Sequence, residues 1–338
     1  MLGAALVAAL LAGRPYVCSK RCGNCSDACR SCAPFYRFAS SLAVPPPPRS
    51  SELAIAQCKN PLAWLPALCT DFAARGAPVR RITLYLKCPV EPPRLSLPGS
   101  PEIRVVRLPN VGREGHSWAH HIRTNFDSLA DAVLFLKDST FDYRFKRLRM
   151  LKVPPFRVLE RVTELGFGCF RRPEGALSVW HDASTLFQYQ LSRYGTYKGT
   201  YMAKLNGSLA PRFEAGSAMA GFLRTALGGA QVDAFLRHHF FPVCYGGSFG
   251  ATRERFRAMP RASWGNLERL LSRADNLEEG HFVERLWAGL LTPPMPAEWV
   301  EGFARGVGGN VLRGGAKLAA TPYYKGIVTS CCCRDTRR

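Results

Sequence analysis

The chain reads as an α/β protein, a mainly parallel sheet flanked by helices. Three observations carry that expectation. Strand-like and helix-like segments alternate from Glu52 to Asp138. Alternation of this kind implies a sheet covered on both faces, and DAVLFLKD reads as a strand buried in it. Glycines, asparagines and charged residues stand at the ends of those runs, where a sheet of this kind binds its ligands.

The elements follow in order. ELAIAQC, Glu52 to Cys58, is a short apolar strand. NPLAWLPALCTDFAARG is a helix with a proline-interrupted start. RITLYLKC, Arg81 to Cys88, alternates as a second strand, and EIRVVRLP, Glu102 to Pro109, is a third. GHSWAHHIRTNFDSL, Gly115 to Leu129, is helical, with Trp118, Ile122 and Phe126 on one face. DAVLFLKD, Asp131 to Asp138, is a buried fourth strand. Later, FFPVCYGG reads as a strand ending in Gly246 and Gly247. TRERFR then starts a basic helix, WGNLERLLSRAD is another, and Glu278-Glu279-Gly280 opens the helix HFVERLWAGLL. The carboxyl-end rule selects five candidate loops: residues 58–60, Lys87-Cys88, Asn110 to Glu114, Asp138 to Asp142, and Gly246-Gly247.

The 338 residues divide into four parts. Residues 1–13, MLGAALVAALLAG, are a signal-like leader, shorter than the ~20 apolar residues that span a bilayer. Membrane association is open through this leader, and the secretory pathway, in the ER or Golgi lumen or beyond it, is the expected location. Residues 14–50 form a Cys-rich and Pro-rich stem, with Cys18, Cys22, Cys25, Cys29 and Cys32 ahead of the run Pro45 to Pro48. Cys22-x-x-Cys25 and Cys29-x-x-Cys32 keep zinc open, but the short gap and the odd fifth cysteine favour disulfides or disorder. Asn24 and Asn206 head glycosylation sequons. Residues 51–292 are the working α/β domain, and residues 293–338 are an extension ending in Cys331-Cys332-Cys333 and a basic tail.

A formal net charge of +21 favours anionic partners: phosphates, acidic glycans, nucleic acid or anionic lipid. The basic residues are spread along the chain, so specific nucleic-acid binding is not expected. There is no H-E-x-x-H and no Walker loop, which removes the zinc-protease and P-loop templates.

The candidate site residues carry their own chemistry. Gly112 frees the backbone at a strand-to-helix junction, and Arg113 presents a planar donor fork to phosphate or carboxylate, or pairs with Glu114. The helix N-terminus behind them favours an anion. Gly246 and Gly247 allow close backbone approach. Glu278 and Glu279 sit at a helix start, where the dipole stabilises carboxylates, either as a cap or facing a hydroxyl. His281 follows, either packed or at the acceptor. Trp180, His181 and Asp182, and the Tyr- and Gly-rich run Tyr189 to Tyr201, offer sugar contacts or core packing.

The blocks IAQCKNPLAWL, ITLYLKC, LPNVGREGHSWAHHI, VLFLKDS and CYGGSFGATRERFRAMPRASWGNLERLL with GHFVERLWAGLL resemble, in that order, a fungal and algal family known as a domain of unknown function. The resemblance runs from about Ser51 to Leu291. The order of a glycine-pair strand, an acidic pair and Arg285-x-Trp287 is similar to A-fold nucleotide-sugar glycosyltransferases, and Asn110-x-Gly112-Arg113-Glu114 is similar to a block of rhamnan-synthesis proteins. That likeness implies a glycosyltransferase-A-like fold, a nucleotide-sugar donor and a glycan or glycoprotein acceptor. It implies donor contacts at Asn110, Gly112, Arg113, Glu114, Gly246 and Gly247, a divalent cation (Mn²⁺ or Mg²⁺) on Asp138, and catalytic roles for Glu279, Glu278 and His281. The segment reads Asp138-Ser-Thr-Phe-Asp142, without the D-x-D that such enzymes place there. A non-catalytic carbohydrate- or phosphate-binding protein of the same fold is the second expectation, and a basic nucleic-acid-binding protein the third.

Overall fold

A computed structural model gives the fold. It describes residues 50–141, 154–170, 179–187, 212–214, 217–228 and 240–294, with scattered positions between and beyond them. The leader, the cysteine cluster Cys22 to Cys32, both sequons, Asp142, most of Tyr189 to Tyr201 and nearly all of the C-terminal extension lie outside the described residues.

The main sheet contains β1 (Ser51–Gln57), β2 (Val79–Leu86), β3 (Glu102–Arg107), β4 (Ala132–Lys137), β5 (Phe167–Cys169) and β8 (Phe249–Thr252). Its order is β3-β2-β1-β4-β8-β5. The first four strands are mutually parallel, and β8 runs antiparallel between β4 and β5. RITLYLKC and DAVLFLKD therefore share one sheet, as the alternation requires. A smaller sheet pairs β6 (Val179–Asp182) with β7 (Phe240–Val243), and Ile327–Val328 adds to β6.

Helices cover both faces of the main sheet. Leu53 and Ile55 point to one core, with Leu65 and Phe72 of α1 (Leu65–Ala74) and Val158 of α3 (Pro155–Leu165). Ala54 and Ala56 point to the other, and their small size admits α2 (Arg113–Thr124), whose Trp118 ring lies 5.0 Å from Phe135. The same core takes in α5 (Ala218–Leu227), α6 (Arg253–Arg257), α7 (Arg261–Leu271) and α8 (Glu278–Leu291); a short α4 (Ala183–Phe187) precedes them in the chain. Every residue of β1 is buried, which is why it reads as an apolar run rather than an alternating one.

The β2–β3 connection holds no helix, in keeping with the order of elements read from the sequence. Two details depart from that reading. FFPVCYGG is a strand only over its first four residues and belongs to the smaller sheet. The strand β8 hides in SFGAT, a short Gly-containing stretch with no clear period, and it puts Gly246 and Gly247 in the β7–β8 turn. Much of the basic content is also structural. Arg81 donates to the Ser128 carbonyl, Arg253 to that of Leu129, Arg257 to those of Phe126 and Asp127, and Arg261 to the Arg123 carbonyl and the Asp127 carboxylate, so four guanidinium groups hold the end of α2 and the loop that follows it. Beneath them Glu52, fully buried, makes a bidentate pair with Arg81, and His121 accepts from or donates to Tyr85 Oη at 2.9 Å.

Two disulfides staple the described structure. Cys58–Cys88 joins the ends of β1 and β2, and Cys169–Cys244 joins β5 of the main sheet to the end of β7 in the smaller one. Among the described residues, no helix is long and apolar enough to cross a membrane.

Gly289 tests how closely α8 approaches the smaller sheet. A Cβ there would overlap the Phe241 ring. Gly289→Ala is expected to lower stability by about 1–3 kcal/mol, although alanine is the better helix former. The check is a fall in the urea midpoint at constant slope; an unchanged midpoint would mean that Phe241 simply moves aside.

Candidate functional site

The strand order places β2 and β4 on opposite sides of β1, so the chain reverses direction across the sheet between β1 and β4. Carboxyl ends at such a switch point are where α/β sheets bind ligands. Most of the sequence-selected residues meet at or near this edge.

The loop after β3 is shaped by two left-handed residues. Gly112 has φ 57° and Arg113 has φ 52°. Gly112 N–H donates to the Ala274 carbonyl at 2.7 Å, and a Cβ at Gly112 would collide with the Leu271 carbonyl. Gly112 therefore lets the loop dock on the α7–α8 connection, where Asn110 Nδ2 also reaches Asp275 Oδ2 at 3.4 Å. Arg113 starts α2 and holds its guanidinium 3.8 Å from Glu114 and 3.9 Å from Glu284 of α8. Lys137, at the end of β4, lies 3.6 Å from Glu114.

The Gly246-Gly247 turn closes over the same group. Gly246 N–H donates to Glu284 Oε1 at 2.7 Å, and the Gly247 carbonyl accepts from Trp118 Nε1 at 2.9 Å. Gly247 has φ 67°, and a Cβ on it would strike the Glu114 carboxylate. Lys87, at the end of β2, is 6% exposed and donates to the carbonyls of Val111 and Arg113. Three cations and two carboxylates thus share one half-buried edge, beside the N-terminus of α2.

Electrostatics follow from that crowding. Burial pulls the Lys87 ammonium down to about 8. Burial alone would raise Glu114, but Lys137 and Arg113 reverse it and hold the carboxyl at about 2. Glu284 is likewise lowered: burial opposes its charge, and Arg113 and Arg285 prevail. His281 falls to about 4, first through burial and then through Arg113.

The acidic pair of α8 is interior. Glu278 is 5% and Glu279 1% exposed. Glu279 Oε1 accepts from Arg273 at 2.8 Å, while its buried Oε2 has no hydrogen-bond partner among the described residues. The backbone of Gly280 faces Gly112 and Arg113, so the N-terminus of α8 abuts the loop after β3. Arg285 lies over the Tyr189 ring at 3.8 Å and donates to the His281 carbonyl. Trp287 is core, stacked on Trp264 at 6.1 Å.

Asp138 stands apart from this group. Its Oδ2 accepts from the backbone N–H groups of Cys58, Lys59 and Asn60 at 3.0, 2.8 and 2.9 Å, and its Oδ1 from Asn60 Nδ2. Strand alternation explains this: Lys137 points to the α2 side and Asp138 to the opposite one. Its carboxylate is engaged by the loop after β1. Among the described residues, no three His, Cys, Asp or Glu side chains gather to hold a metal ion. The donor set around Asp138 does not fit a protein-held divalent cation.

The carboxyl-end rule selects the loop at Lys87, whereas Lys137 and Glu284 carry no such signal in the sequence. Tyr85-x-Lys87 and Glu284-x-x-Trp287 were both visible as motif fragments, and Lys137 precedes the selected Asp138. Trp180, His181 and Asp182 lie on β6, in the smaller sheet. A scan against protein-family models gives no match, and a search of curated proteins gives none.

The buried imidazoles impose a pH dependence. His116, His121 and His281 each sit at about 4, against 6.5 when unperturbed, with burial as the leading cause. Between those values the unfolded chain binds protons that the folded chain refuses, so stability falls as pH drops from about 6.5 to 4. His116→Gln is expected to flatten that fall, measured as the urea midpoint against pH. A midpoint constant from pH 7 to 5 would contradict it.

Proposed function

We propose that the protein is a glycosyltransferase of A-fold type that binds a nucleotide-sugar donor at the carboxyl edge of β1 to β4. The observation that carries this reading is the gathering of Lys87, Arg113 and Lys137 with the α2 N-terminus at the switch point of a largely parallel sheet. A diphosphate matches that set: compact, doubly anionic and suited to a guanidinium fork and a helix start.

In this reading Arg113 turns from Glu114 and Glu284 toward the diphosphate, and Lys137 adds charge. Lys87 adds charge from behind the loop, which it and Gly112 hold in place. The Gly246-Gly247 turn forms the wall above Glu114. Asp138 orders the loop after β1, and no step is routed through a protein-held cation. Glu279, whose buried Oε2 has no hydrogen-bond partner among the described residues, takes the role of base toward an acceptor hydroxyl of a glycan or glycoprotein, with Glu278 and His281 beside it. Two disulfides among the described residues support the secretory pathway as its location. The likeness of the sequence blocks to the domain of unknown function belongs to the same proposal.

The second reading, a non-catalytic carbohydrate- or phosphate-binding protein of this fold, draws on the engagement of Asp138 and Arg113 within the chain. Calorimetry with a panel of nucleotide sugars separates the two. Arg113→Lys keeps a charge between Glu114 and Glu284 but loses the planar fork, and is expected to weaken donor binding about tenfold. Glu279→Gln is expected to spare binding and remove most turnover. Donor binding with no turnover toward any acceptor favours the second reading; no binding to any donor sinks both the donor site and the transferase.

A further inference from the structure

Four loops leave the carboxyl ends of the parallel strands, and one path joins them. Asp138, after β4, accepts three backbone N–H groups from residues 58–60, after β1. Cys58 is bonded to Cys88, after β2. Lys87, the neighbour of Cys88, donates to the Val111 and Arg113 carbonyls, after β3. The covalent step in this path is Cys58–Cys88.

The two disulfides differ in access. Cys58 and Cys88 are both partly exposed, whereas Cys169 is 8% and Cys244 0% exposed. A reductant in solution reaches the first pair and not the second. The first pair also carries more of the local order. No helix lies between Leu86 and Glu102, so the bond at Cys88 anchors the start of a long irregular connection. The second pair is buried between the two sheets, where packing holds it independently.

We propose that Cys58–Cys88 is a reducible latch on the ligand-binding edge. Oxidised, it holds the loops after β1 and β2 together and, through Lys87, keeps Arg113 in its left-handed start of α2. A dithiol opens it by a balanced exchange. One thiolate attacks a protein sulfur, a mixed disulfide forms, and the second thiol of the reductant displaces it. Two electrons and two protons pass to the protein, which ends with two thiols, and the reductant leaves as its own disulfide. Opening frees residues 58–60 and loosens the Arg113 loop while both cores stay packed. The consequence for nucleotide-sugar affinity rests on the function proposed above; the latch itself does not.

The test is amide hydrogen exchange on the full oxidised chain, before and after mild dithiothreitol, with the Cys58→Ser/Cys88→Ser double variant alongside. The expected result is selective loss of Cys58–Cys88 with Cys169–Cys244 intact. Exchange should rise about tenfold at residues 58–60 and 111–114 but not in β1 or β4, and the variant should match the reduced protein. Equal protection in the oxidised, reduced and variant proteins would overturn the latch, as would opening of both disulfides together on global unfolding. UDP-sugar calorimetry in both redox states then reads the link to function. Weaker binding after reduction supports the link. Absence of binding in both states removes the proposed function, while the exchange result still decides the latch.

Discussion

Two-sided burial of β1 and β4 is the constraint from which the rest of this structure follows. Ser51 to Gln57 lies wholly inside the protein, with β2 on one side and β4 on the other. Such strands have no solvent face on which to place polar side chains, so those groups collect at the strand ends. At the amino end, Glu52 is balanced by Arg81 and lies near His121. At the carboxyl end stand Lys87, Lys137 and Asp138. Small side chains at Ala54 and Ala56 let α2 come close, and α2 in turn aims its N-terminus at that edge.

Charge is spent differently at the two ends. At the amino end, arginines bind carbonyls of the loop after α2 and carboxylates such as Asp127 and Asp131, so a basic motif serves as scaffold. At the carboxyl end the same kinds of group are crowded, half-buried and mutually perturbed. Lys87 is held well below the usual lysine range and Glu114 well below the usual carboxylate range. These shifts run in opposite senses beside the start of α2, because burial dominates at Lys87 and the neighbouring cations dominate at Glu114.

Much of the architecture was legible before the structure. ELAIAQC, RITLYLKC and DAVLFLKD announce buried strands, EIRVVRLP is a strand but an exposed one at the sheet edge, and Trp118 with Ile122 marks the buried face of α2. The carboxyl-end rule then led to Arg113, Glu114, Gly246 and Gly247, which do meet. What misled was one-residue resolution. Asp138 stands next to Lys137, and the pleat turns their side chains to opposite faces, so the carboxylate serves the loop after β1 and the lysine serves the site. β8 escaped notice because four residues, one a glycine, carry too little period to read.

The chain alone determined its class, its strand-end motifs and the helix faces, because each depends on local periodicity and on the backbone needs of glycine. Only the tertiary structure decided which charges pair. Arg113 could choose among several carboxylates, and its position between Glu114 and Glu284 depends on α8 and α2 meeting across residues far apart in sequence. The same holds for Cys58–Cys88 and Cys169–Cys244: thirteen cysteines allow many pairings, and the crossovers of the sheet select these two. Long-range pairing is a property of which strand ends become neighbours, and no local pattern encodes that.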